Sequence, residues 1–326
     1  MAAVAEPRTT IERLVLAAPR GYCAGVDRAV QTVERALELY GAPVYVRKEI
    51  VHNKNVVAEL RGRGAIFVEE ETEIPQGAVA VFSAHGVAPS VRENAELRGL
   101  RTIDATCPLV TKVHVEARRF AEDGHTIVLV GHDGHEEVEG TMGEAPERIV
   151  LVESEEDVDA LEVEDAERIA YITQTTLSVD ETTAIVARLQ ERFPAIVGPR
   201  RDDICYATTN RQAAVKQIAA ACDLVLIVGS RNSSNSVRLV EVARDCGTEA
   251  YLIDSVAEVR DEWLEGKRVV GISSGASAPE HLVSELVEHF RARGVGEVSE
   301  LRAVAEDVRF MLPREMREAL TRASGA

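Results

Sequence analysis

Three cysteines share one setting: each is read at the end of an apolar run and just before a helix-like segment. Cys23 stands between Leu14-Val-Leu-Ala-Ala and Ala24-Gly-Val-Asp-Arg-Ala-Val. Cys107 stands between Arg101-Thr-Ile-Asp-Ala-Thr and Pro108-Leu-Val-Thr-Lys-Val. Cys205 follows Asp203-Ile and precedes Tyr206-Ala-Thr-Thr-Asn-Arg-Gln. Local zinc and ferredoxin sites use tight pairs such as C-x2-C, and none occurs here. One thiol per unit of ~100 residues suits convergence of three thiolates on an iron–sulfur cluster. With three protein sulfurs, one iron keeps an open position for a substrate oxygen. Cys222 and Cys246 lack this setting and read as small buried or capping residues.

Polar loops supply the second set of candidates. Ser83-Ala-His-Gly, Gly131-His-Asp-Gly-His-Glu-Glu-Val-Glu-Gly-Thr, Thr173-Gln-Thr-Thr-Leu-Ser, Gly229-Ser-Arg-Asn-Ser-Ser-Asn-Ser and Ser273-Ser-Gly-Ala-Ser-Ala-Pro each follow an apolar run. At the carboxyl ends of parallel strands such loops line ligand crevices, and helix N-termini there favour anions. Any one loop is explained by helix capping; five in the same setting point to a shared phosphate-type site. His52, His85 and His135 also follow apolar runs, where imidazolium can pair with phosphate. The order His132-x-x-His135-Glu-Glu is not the H-E-x-x-H of a zincin helix. His114, His125, His281 and His289 read as structural or surface residues. Glu137 is the preferred proton donor, since a carboxyl in a closed pocket can have its pKa raised. Glu136 is placed outward, a choice the sequence alone leaves nearly even. No Walker A or G-x-G-x-x-G pattern is present, which argues against a nucleotide site.

The elements that must position these residues alternate. Strand-like runs occur at Pro43–Val46, Ala78–Phe82, Thr126–Val130, Ile169–Ile172 and Arg268–Ile272. Helical patterns occur at Asp27–Tyr40, Lys112–Asp123, Ser178–Phe193 and Thr209–Ala221. This is the pattern of α/β units with parallel sheets. The 326 residues divide at the second and third cysteines: 1–106 with an N-terminal extension, 107–204, 205–294, and a tail 295–326. The apolar segment Val308–Pro313 is expected to form a strand packing back on the body, ahead of a helical end.

Apolar residues make up 45% and aromatics only 4%, so the core is aliphatic. The net charge of −18 argues strongly against a nucleic-acid partner, which needs a basic surface. The acidic runs Glu69–Glu73 and Glu153–Glu167 read as solvated surface. Apolar runs such as Leu224–Val228 are far short of a membrane span, and Glu6, Pro7, Arg8 and Glu12 interrupt any secretory h-region. Five cysteines without a small-scaffold pattern fit a reducing, cytoplasmic setting.

Together these strings resemble the 4-hydroxy-3-methylbut-2-enyl diphosphate reductase family. The similarity rests on Pro19-Arg-Gly-Tyr-Cys-Ala-Gly-Val-Asp-Arg-Ala, Glu49-Ile-Val-His-Asn, Phe82-Ser-Ala-His-Gly-Val, Asp104-Ala-Thr-Cys-Pro-Leu-Val-Thr-Lys-Val-His and His135-Glu-Glu-Val-Glu-Gly-Thr. It continues through Thr173-Gln-Thr-Thr-Leu-Ser, Asp203-Ile-Cys-Tyr-Ala-Thr-Thr-Asn-Arg-Gln, Val228-Gly-Ser-Arg-Asn-Ser-Ser-Asn-Ser and Gly275-Ala-Ser-Ala-Pro. The resemblance implies three similar α/β units in a trefoil around a central 4Fe–4S cluster held by Cys23, Cys107 and Cys205. It implies diphosphate binding by His52, His85, Ser233, Ser234, Asn235 and Ser277. Substrate-hydroxyl and proton handling fall to His135, Glu137 and Thr175. It implies reductive loss of a hydroxyl to give isopentenyl and dimethylallyl diphosphate, with a donor such as ferredoxin or flavodoxin. The alternatives are a redox-neutral iron–sulfur hydro-lyase and a non-enzymatic iron–sulfur sensor. Glu136 stands where many relatives have proline.

Overall fold

The computed structural model describes residues 11–324. Along them run the strands β1 (Arg13–Ala18), β2 (Val44–Arg47), β3 (Ala65–Val68), β4 (Val79–Phe82), β5 (Arg101–Asp104), β6 (Thr126–Val130), β7 (Ile149–Val152), β8 (Ile169–Thr173), β9 (Leu224–Val228), β10 (Glu249–Ile253), β11 (Val269–Ser274) and β12 (Glu297–Arg302). They form three sheets, ordered β10-β9-β11-β1-β12, β3-β2-β4-β5 and β7-β6-β8. Every ladder between named strands is parallel. The fold is therefore mixed α/β with parallel sheets.

Parallel strands covered on both faces read as continuous apolar runs, and Leu224-Val-Leu-Ile-Val is buried throughout. Alternate side chains still go to opposite faces. Leu14, Leu224, Leu226, Val270 and Ile272 pack on Leu282, Leu286 and Phe290 of the helix Glu280–Ala292. Val15, Val225 and Ile227 meet Val215 and Ile218 of the helix Tyr206–Ala219 and Leu239 of the helix Ser234–Asp245. In the sheet centred on β6, Val128 and Val130 face Ile185 and Leu189. Ile127 and Leu129 face Val113, Ala117 and Phe120 of the helix Pro108–Glu122. In the sheet holding β4, Ala80 and Phe82 pack on Val87, Val91 and Ala95.

The chain gathers into two compact units. The first takes residues 11–23, His52–Asn55 and Tyr206–Val308, and holds the five-stranded sheet. The second takes Ala24–Val51, Val56–Cys205 and residues 309–324, and holds the other two sheets. The sequence boundaries put β1 with the first hundred residues; the ladders put it between β11 and β12. The tail also differs from expectation. Its strand is β12, while Val308–Pro313 has no strand structure and leads into a helix at Arg314–Ser324. β12 is an edge strand with no fully buried residue, so it lacks the apolar alternation by which a strand is recognised. The first ten residues lie outside the described region.

Candidate active site

All three cysteines occupy the same local frame. Cys107 is the N-cap of the helix Pro108–Glu122. Cys23 directly precedes the helix Ala24–Tyr40, and Cys205 the helix Tyr206–Ala219. In each case the backbone N–H of the cysteine donates to a carbonyl in one of the polar loops: Cys23 to Ala276 at 3.1 Å, Cys107 to Ala84 at 2.9 Å, Cys205 to Thr175 at 3.1 Å. Those carbonyls lie just beyond the ends of β11, β4 and β8. The chain leading to each cysteine pairs in parallel with that same strand: β1 with β11, β5 with β4, and Val197 with Ala170 of β8. Three copies of one strand–loop–cysteine–helix frame thus each place a thiol at the positive end of a helix, where anionic ligands are favoured.

This donor set fits an iron–sulfur cluster. Among the described residues no cysteine is in a disulfide, and Cys23, Cys107 and Cys205 are all partly accessible. The other two thiols have ordinary explanations. Burial pushes the Cys222 thiol up to about 11, beside the core under β9. Cys246 is an exposed C-cap of the helix Ser234–Asp245.

The first unit brings together His52, Ser233, Ser234, Asn235 and Ser277. Ser277 Oγ donates to the His52 carbonyl at 2.9 Å. Asn235, buried in the first turn of the helix Ser234–Asp245, accepts from the Ala276 N–H at 2.8 Å. Ser233 caps that helix by accepting from the Ser236 N–H. The loops after β9 and β11 are thereby tied to each other and to the His52 segment. Glycine is required at this junction: a Cβ on Gly275 would overlap Ser236 Oγ and stand 3.1 Å from Ser236 Cβ. Ser230 and Asp254, which the sequence reading passed over, brace the same region. Ser230 Oγ donates to Asp254 at 2.7 Å and accepts from the Lys54 N–H at 3.1 Å.

The second unit brings together His85, His135, Glu136, Glu137 and Thr175. Glu137 is buried, and both its oxygens meet Thr175: Oε1 accepts from the backbone N–H at 2.6 Å and Oε2 from the hydroxyl at 3.1 Å. Burial pushes the Glu137 carboxyl up to about 7, against the Thr175 hydrogen bonds that hold it down. His135 caps the helix Glu136–Met142; its Nδ1 accepts from the Glu137 N–H at 3.1 Å. A neutral His135 therefore carries its proton on Nε2. Glu136 corrects the sequence reading. Its side chain is only 15% exposed and meets His85 Nδ1 at 2.9 Å, so it orients His85 and does not face outward. The His85 and His135 rings stand edge to face with centroids 5.9 Å apart. His114 is structural as expected: it is buried and paired with Glu144 at 2.7 Å.

The strand-end placement of the five polar loops is also as read: they follow β4, β6 and β8 in the second unit, and β9 and β11 in the first. No helix among the described residues is long and apolar enough to cross a membrane.

Known proteins bear on this arrangement. The model of the LytB protein family matches residues 14–291. A 4-hydroxy-3-methylbut-2-enyl diphosphate reductase from Acidothermus cellulolyticus is 61% identical over 309 residues, covering 94% of this chain and 91% of that protein. One from Leifsonia xyli subsp. xyli is 60% identical over 308 residues, with the same shares covered. Among solved structures, the E-1-hydroxy-2-methyl-but-2-enyl-4-diphosphate reductase of Plasmodium falciparum superposes with a TM-score of 0.94 at 38% identity. That match covers 96% of this chain and 99% of that one.

Proposed function

This chain belongs to the LytB protein family, and from that premise we propose that it reduces 4-hydroxy-3-methylbut-2-enyl diphosphate to isopentenyl and dimethylallyl diphosphate. The observation that carries the reading is the threefold repetition of the cysteine frame, each thiol at a helix start and each N–H bonded to a strand-end loop. Cys23, Cys107 and Cys205 would hold a 4Fe–4S cluster. When bound, the cluster supplies a Lewis-acidic iron without a protein ligand and one-electron redox chemistry. A carrier such as ferredoxin or flavodoxin provides the electrons.

The balance is R–OH + 2 e⁻ + 2 H⁺ → R–H + H₂O, so the chain must anchor the diphosphate and deliver protons. His52, Ser233, Ser234 and Asn235 offer hydroxyl, amide and imidazole donors beside the N-terminus of the helix Ser234–Asp245, which favours phosphate oxygens, and the Ser277 hydroxyl would turn from the His52 carbonyl to join them. His85, turned by Glu136 on its Nδ1, presents Nε2 to the same class of anion. Anchoring the diphosphate fixes the position of the hydroxyl. Glu137, near half-protonated at neutral pH, passes a proton from Oε2 through the Thr175 hydroxyl, which both accepts and donates. His135 donates from Nε2 to the substrate hydroxyl.

The test is an anaerobic assay of reconstituted protein on the hydroxylated diphosphate, with and without dithionite-reduced viologen. Product only with reductant is the expected result. Product without reductant would identify a hydro-lyase. An intact cluster with no turnover in either condition would identify a sensor.

A further inference from the structure

The helix behind each cysteine carries a cation that grips the backbone leading into a different cysteine. Arg28, the fifth residue after Cys23, donates from Nη1 to the carbonyls of Ala105 at 2.9 Å and Thr106 at 3.0 Å, just before Cys107. Lys112, the fifth after Cys107, donates from Nζ to the carbonyls of Arg201 and Asp202, and to Asp203 Oδ1 at 2.9 Å, just before Cys205. Arg211, the sixth after Cys205, donates from Nη2 to the Gly21 carbonyl at 2.8 Å, just before Cys23. The series closes on itself: 23 to 107, 107 to 205, 205 to 23.

Ordinary surface pairing does not account for this. Arg211 is completely buried and balanced by Glu306, which also accepts from Asn210 at 3.1 Å. The Arg28 charge is felt by Asp104 and Cys107, and its Nε donates to the Met311 carbonyl at 2.8 Å. A buried cation is costly unless its donors are used. Here donors of each cation go to carbonyls in the stretch between the last paired residue and the cysteine.

We propose that Arg28, Lys112 and Arg211 are positioning residues for the three cysteine loops, each fixing the approach to one thiol so that iron and sulfide are retained. This rests on the cluster-bearing function proposed above. It predicts that loss of a clamp weakens iron retention before it weakens the fold, as outer partners of metal ligands do.

The test compares wild type, Lys112→Met, Lys112→Arg, Arg28→Met and Glu306→Gln after anaerobic reconstitution. The last reaches the third clamp without emptying the buried Arg211 site. Arg314→Met, at a cation 81% exposed, is the control. Iron per chain, the rate of iron loss to a chelator and the EPR spectrum of the reduced protein are measured on samples whose circular dichroism matches wild type. Lys112 is partly exposed, so Lys112→Met is the variant expected to stay folded. It should lose iron about 10- to 100-fold faster with an altered EPR line shape, and Lys112→Arg should restore most of the retention. Wild-type retention and spectra in both Lys112→Met and Arg28→Met would overturn the proposal and leave the functional reading standing. A wild-type protein that loads no iron would overturn both.

Discussion

At the scale of single residues, the decisive contest is at Glu137. Burial favours its neutral form, while the Thr175 N–H and hydroxyl favour the charged one; burial wins, and the group titrates near 7. In the proposed proton-donor role Glu137 must be protonated, so turnover should fall as pH rises through about 7. Glu137→Gln keeps the shape and hydrogen-bonding capacity toward Thr175 but has no proton to give. Its kcat should drop by about 10²- to 10⁴-fold with iron content unchanged; undiminished turnover would remove Glu137 from the reaction. Stability supplies an independent reading of the same group. Its folded pKa lies above the unfolded value of 4.5, so the folded state binds more protons. The associated stability is complete below 4.5 and is lost as pH climbs from 4.5 to about 7, by about 3 kcal/mol. Glu137→Gln escapes that loss, so its stability relative to wild type should be greater at pH 8 than at pH 5. Both carboxyls were visible in the sequence, but their directions were not. Helix phase decides them, and phase is set by His135 capping the helix, which leaves Glu136 on His85 and Glu137 on Thr175.

At the scale of elements, most strands and helices were legible because their periodicity reflects burial. The run Thr126–Val130 was recovered unchanged, and the helix read from Ser178 begins at Val179 with Ser178 as its cap. β12 was not legible, because an edge strand with no buried residue leaves no apolar signature. The sheet partner of β1 was equally hidden: its burial shows that it is central, but pairing with β11 and β12 is decided by chain segments more than two hundred residues away. The cations of the cysteine frames sat in plain view at similar spacings, yet nothing local distinguishes a carbonyl clamp from a solvated helix face. The junction of the β9 and β11 loops yields a prediction at this scale. Gly275→Ala would push its Cβ into Ser236, whose hydroxyl meets Ser233 Oγ at 3.0 Å and whose own exposure is nil. Overpacking of this kind costs about 1–3 kcal/mol. If that cost falls on the Ser233 cap, KM for the diphosphate should rise about tenfold with kcat nearly kept. Steady-state kinetics decide it, and an unchanged KM in a folded variant would detach this junction from substrate binding.

At the scale of the whole molecule, the question is whether the proposed cluster would make the fold or the fold would make the cluster's site. Small zinc domains are unfolded without their ion because they lack a core. A chain of 326 residues buries roughly three quarters of the surface its unfolded form exposes. Cys23, Cys107 and Cys205 are partly accessible, unlike the buried residues of the apolar clusters described behind the sheets. The clusters come from strand and helix interiors; the thiols stand on loops beyond the strand ends. Removing iron should therefore leave the sheets intact and loosen only the cysteine frames. Iron-free protein is expected to keep its far-UV circular dichroism and a cooperative melt. Its Tm should be lower, by the linkage of a ligand that binds only the native state. Hydrogen exchange gives the local reading: the amides of Cys23, Cys107 and Cys205, bonded to Ala276, Ala84 and Thr175, should exchange faster without iron. Amides within β9, buried along its whole length, should not. A non-cooperative melt of the iron-free chain, or equal deprotection of β9, would mean that the metal organises the core rather than being received by it.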